Sequence, residues 1–167
     1  MPKGLKATSS PIIISHQIGE SAAGTFTQDT VDLQLNPLDN EVLVVLAIDV
    51  DPGSPEVDGG GADSSVAVSV STTSRTSVGN IDDTNVLGAA TKTIMGGLVP
   101  FSSMSPDGPQ AAGLDYIGIL ATSDLFVQIL GQNNTSAKFG RVRLWCQRMR
   151  ADASTYAALV QSEMLSQ

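Results

Sequence analysis

The sequence is short of almost everything that enzymes and metal proteins are built from. One cysteine, Cys146, and one histidine, His16, stand among 167 residues. A single thiol excludes an internal disulfide and a cysteine-based zinc site, and a single imidazole leaves no material for a histidine-rich metal site. His16 beside scattered serines and aspartates is the sole basis for a hydrolytic triad, and no Gly-x-Ser-x-Gly elbow accompanies it. Charged residues make up 16% of the chain and aromatics 4%, against roughly 25% charged in an average globular domain. Basic residues number 9 against 17 acidic, a formal charge of −8, which argues against a free-standing binder of nucleic acid or anionic membrane. No apolar run approaches the roughly 18 residues of a membrane helix. Lys3 and Lys6 precede only the short run Pro11-Ile12-Ile13-Ile14, too brief for a signal-peptide core, so no cleaved leader is expected. Gly59-Gly60-Gly61 lacks the Lys-Ser/Thr of a phosphate loop and lies among carboxylates that would repel phosphate.

What the chain has is a hydrophobic share of 41%, set among small polar residues in a balance that suits strands better than helices. Its length is that of one domain. The spacing predicts an all-β antiparallel sandwich over 11–151, preceded by an arm over 1–10 and followed by a short C-terminal helix over 152–167. The segment 25–35 ends with Val31, Leu33 and Leu35 on one face of a half-buried strand. After a turn at Pro37–Asn40, the run 41–50 is apolar on both faces and β-branched, as a strand covered on both sides would be. The Pro- and Gly-rich loop 51–63 follows, then 64–71, where Val66, Val68 and Val70 alternate with small residues that suit contact with another sheet or subunit. The pattern weakens over 72–113, apart from a strand at 89–95, and an excursion of that length reads as a functional or interface loop. Strands return at 116–121 and 125–130. The turn-rich stretch 131–136 then leads into 139–150, and the last two strands read as a hairpin with a long loop. Its sequons at Asn133 and Asn134 read as turn chemistry. Asp152 or Ser154 can cap a final helix whose Tyr156, Leu159, Val160 and Met164 share one stripe.

Three constellations carry chemistry. Asp49, Asp51, Glu56 and Asp58 lie in or beside the Gly/Pro loop and could ligate Ca²⁺ as a cofactor, although their spacing is not that of an EF-hand. The second constellation is the basic strand. Arg141 and Arg143 share a face with Trp145, an outward aromatic flanked by arginines, which is the composition of a subunit-interface anchor. Lys138, Arg148 and Arg150 are candidates for contact with packaged nucleic acid or an internal membrane. Third, the helix stripe of Tyr156, Leu159 and Val160 must pack on its own sheet or on a neighbouring subunit, because so short a helix is marginal alone. Cys146, on the other face of the basic strand, reads as a core residue.

The layout as a whole, with its short arm, the two-sided strand at 42–50, long Gly/Pro/Ser loops, the basic strand 141–150 and the small-residue helix 153–165, resembles the single jelly-roll coat proteins of icosahedral viruses and phages. That resemblance implies two Greek-key sheets, symmetric self-association with other copies or other capsid proteins, a place in the virion and no catalytic residues. The arm's two lysines are too few to neutralise a genome. The expected function is therefore a capsid subunit, with interfaces at the Trp145 face, the helix and the loop 96–113. A Ca²⁺-dependent sandwich that binds carbohydrate or another surface ligand, or a filament subunit, would use the same features.

Overall fold

A computed structural model describes residues 4–57, 59–96, 101–104 and 115–165, with 101–104 as backbone. Its strands are β1 (Leu5–Ala7), β2 (Ile12–Gly19), β3 (Thr27–Asp32), β4 (Glu41–Pro52), β5 (Ser64–Ser71), β6 (Val86–Met95), β7 (Phe101–Met104), β8 (Gly118–Leu120), β9 (Asp124–Gln132) and β10 (Phe139–Ala151), followed by the helix α1 (Ala153–Leu165). They form two antiparallel sheets. In the first, β10 pairs with β4 on one side and with both β1 and β2 on the other, and β8 lies outside β4. The second runs β3-β9-β5-β6-β7.

The pairing is nested: β2 with β10, β3 with β9, β4 with β8, β5 with β6, each successive pair going to the opposite sheet. A long hairpin rolled up in this way is a jelly roll. The expected sandwich with a C-terminal helix is therefore present, and its wrapping is the jelly-roll one.

Alternation builds the core. Val66, Val68 and Val70 from β5, Val127 and Ile129 from β9, and Val142, Leu144 and Cys146 from β10 meet between the sheets with at most 3% of their surface exposed. The sheets approach closely at Gly140, where a Cβ would collide with the Val68 side chain. On β4 the inward parity changes partway along. Leu43 and Val45 face inward before Leu46, and Ile48 and Val50 after it, because a bulge there sets Trp145 opposite Ala47 but Cys146 opposite Val45. The strand is apolar on both faces only in its first half. There Val42 and Val44 join Met149, Ala151 and Ala121 in a second cluster on the outside of the sheet, covered by Leu5, Tyr156, Leu159 and Val160.

Three expectations need correction or refinement, and β2 adds a strand outside them. The last two strands are not a hairpin: β9 pairs with β3 and β5, β10 with β2 and β4, so the turn between them crosses from one sheet to the other. Their apolar faces oppose each other across the core, which side-by-side pairing would not allow. The arm is only partly an arm, since Leu5–Ala7 pair with Met149–Ala151 and extend the first sheet. Two of the small outward residues of β5, Ser69 and Ser71, are covered by the chain's own loop: Gly79 N donates to the Ser69 hydroxyl at 2.8 Å, and the Ser71 hydroxyl donates to the Thr73 carbonyl at 2.6 Å. Finally, β2 was not read as a strand, although Ile12, Ile14, His16 and Ile18 alternate with Ile13, Ser15 and Gln17.

Candidate interaction surface

Because Val142 and Leu144 point into the core, Phe139, Arg141, Arg143 and Trp145 are sent to the outer face of the first sheet. Phe139 is 43% exposed and Ile13, beside Trp145 in the register, 60%. The aromatic rings hold the guanidinium groups. Arg141 lies 4.8 Å from the centroid of Phe139, and Arg143 lies 6.0 Å from that of Trp145. Across the ladder on β4 the outward residues are Ala47, Asp49 and Asp51, opposite Trp145, Arg143 and Arg141. A cationic row thus runs beside an anionic one, with bulky apolar groups at its two ends.

The candidate Ca²⁺ ligands do not converge. Asp49 stands opposite Arg143 on the open face. Asp51 accepts from Lys92 Nζ at 2.7 Å and lies 3.9 Å from Arg141. Glu56 binds Lys138, the hydroxyls of Thr135 and Ser136, and Thr135 N. The Lys138 ammonium, aided by those hydroxyls, holds the Glu56 carboxyl well below its ordinary value. Asp58 lies outside the described residues. Among the described residues no three His, Cys, Asp or Glu side chains cluster as metal ligands would. The physical reason is that Asp51 and Glu56 are each already held by a lysine of their own chain.

The basic strand is likewise divided. Lys138 belongs to Glu56 at 2.5 Å. Arg148 donates to the carbonyls of Leu33 and Gln34 and to Glu41, and Arg150 meets Asp39 at 3.1 Å. These three residues close the ends of the sandwich and form no common patch with Arg141 and Arg143. The helix residues Tyr156, Leu159 and Val160 pack on their own sheet, so their first role is within the subunit. Asp152 caps α1 by accepting from Thr155 N at 2.8 Å, and Glu163 accepts from Ala121 N and Thr122 N, which clasps the far end of the helix. Most of the loop 96–113 lies outside the described residues.

His16 Nε2 lies 2.9 Å from Asp29 Oδ2 and links β2 to β3, one sheet to the other; among the described residues no hydroxyl bonds its ring. Cys146 is buried, and burial pushes its thiol up to about 12. Sequence reasoning missed two polar centres. Glu20 is 7% exposed and accepts from Gly131 N and Lys138 N at 2.7 and 2.9 Å. Gln128 is fully buried and joins Ser69, Ser71 and Gln28. A glutamine at an outward strand position gives no sign of burial until the loop that covers it is placed. Among the described residues no helix is long and apolar enough to cross a membrane.

No family model and no curated protein matches the chain. Solved structures do. Apo chimpanzee polyomavirus VP1 matches with a TM-score of 0.54 at 5% identity, over 88% of this chain and 97% of that one. The VP1 of trichodysplasia spinulosa-associated polyomavirus, solved in complex with GM1 oligosaccharide, matches with a TM-score of 0.50 at 6% identity, over 87% and 97%. The fold resembles that of the viral VP1 capsid proteins. At such identities the likeness is one of fold.

Proposed function

We propose that the chain is a structural subunit of a virion shell, which assembles with copies of itself and has no catalytic role. The observation that carries this reading is the rolled nesting of eight strands, β2 to β6 and β8 to β10, in a fold similar to that of VP1. The outer face of the first sheet supports it as well. Exposed Ile13 and Phe139, with Trp145 beside Arg143, form an anchor surface that an isolated subunit does not need. The Ca²⁺-dependent binding module is the weaker reading, because Asp51 and Glu56 are held by Lys92 and Lys138. Replacement of Trp145 by Ala tests the proposal: particles are lost while the subunit keeps its fold and melting temperature within a few degrees. Unchanged particle yield removes this face from the assembly.

A further inference from the structure

The outer face of the first sheet carries a pattern that goes beyond general stickiness. At three successive outward levels, the residue on β10 and its neighbour on β4 are complementary. Phe139 lies past the last of these levels, where Gly53, just beyond β4, donates its N–H to the Phe139 carbonyl at 2.8 Å. Arg141 stands beside Asp51, Arg143 beside Asp49, and Trp145 beside Ala47. Large meets small at one end, and cation meets anion at the two levels that follow. Adjacent strands are about 4.8 Å apart, yet the Arg143–Asp49 pair is not closed: neither residue forms an ion pair with any described residue, and the Arg143 guanidinium rests on Trp145 instead.

We propose that this face pairs with the same face of a second copy about a two-fold axis that runs along the strands, midway between β10 and β4. Rotation about that axis places the β10 row of each copy over the β4 row of the other at the same level. Arg143 then meets Asp49 of the second copy, Arg141 meets Asp51 and Trp145 covers Ala47. The charge pattern selects this axis. A two-fold axis across the strands would stack arginine on arginine and aspartate on aspartate, which is repulsive. An axis along them makes every level self-complementary, as an isologous contact must be. Sheets that pack face to face lie about 10 Å apart, within reach of an arginine and an aspartate that extend toward each other. The aromatic rings under the guanidinium groups hold them in place and lower the entropy lost on contact.

This inference deepens the shell reading and rests on it. The test uses two full-length variants, Arg143→Asp and Asp49→Arg, which make the central level all acidic in one and all basic in the other. Sedimentation velocity at low salt is expected to give a wild-type dimer as the smallest associated species. Each variant alone is expected at the 17.3 kDa of one chain, with its melting temperature unchanged. An equal mixture of the two is expected to regain the dimer. A variant that dimerises alone, or a mixture of folded variants that stays monomeric, overturns the two-fold contact. A salt series on the wild type, which changes no residue, is a second measurement. The dimer should weaken progressively as salt screens the four ion pairs, and a mass independent of salt contradicts the charge pairing. Closed particles formed by either variant alone overturn this contact and leave the shell reading standing; a wild type monomeric at every salt overturns both.

Discussion

Lys138 Nζ lies 2.5 Å from Glu56 Oε1, and that ion pair ties the loop after β4 to the turn before β10. Glu20 holds the other side of the same turn through Gly131 N and Lys138 N. Two carboxylates therefore fix the place where the chain crosses from the second sheet to the first. The crossing replaces a hairpin, and it is what allows β10 to enter the middle of its sheet.

Acid should loosen this end first. The Glu56 carboxyl is held below its ordinary value of 4.5, chiefly by Lys138. A carboxyl lowered by folding contributes stability that is present above its unfolded value and lost as pH falls through the folded one. Thermal melts should therefore show stability falling as pH drops below about 4.5, and Glu56→Gln should flatten that part of the profile while lowering stability at neutral pH. Identical acid profiles for the two proteins would remove Glu56 from the account.

Gln128 should prove structural. Its amide is the hub between Ser69, Ser71 and Gln28, and through Gln28 it reaches Arg75 N at the start of the covering loop. Gln128→Leu keeps the size of the side chain but takes the acceptor from the buried Ser69 hydroxyl and the donor from Ser71 and Gln28, at a cost of about 1–3 kcal/mol. Urea melts should show that loss, and proteolysis should cut the loop 72–85 sooner than in the wild type. An unchanged midpoint would mean that the loop is held without Gln128, by Arg75 and by the bonds of Gly79 and Thr73 to β5.

Cys146 should be silent in the folded protein. The thiolate is the reactive form, and burial raises this thiol to about 12. A thiol reagent at pH 8 is expected to label the chain only at its rate of global unfolding, and fast labelling of the native subunit would contradict the buried position.

Much of this architecture was legible from alternation. The inward residues of β5 and β10, the outward placement of Arg141, Arg143 and Trp145, and the capped terminal helix all follow from period and composition. The two-sided apolar run on β4 was legible too, but its cause was not. A bulge at Leu46 changes the inward parity, and α1 covers the first half from outside. Strand partners were out of reach, since a turn rich in Asn, Thr and Ser serves a hairpin and a sheet crossing equally well. The carboxylates of 49–58 suggested an ion because sequence shows charge without its partners; Lys92 and Lys138 are distant in the chain and close in space.

The central claim is self-assembly into a shell, and the most direct test is the mass and shape of the purified full chain. Light scattering across a range of salt, followed by negative-stain microscopy of the heavy fraction, should give closed particles of uniform diameter built from many 17.3 kDa chains. A single 17.3 kDa species under every condition would contradict the account.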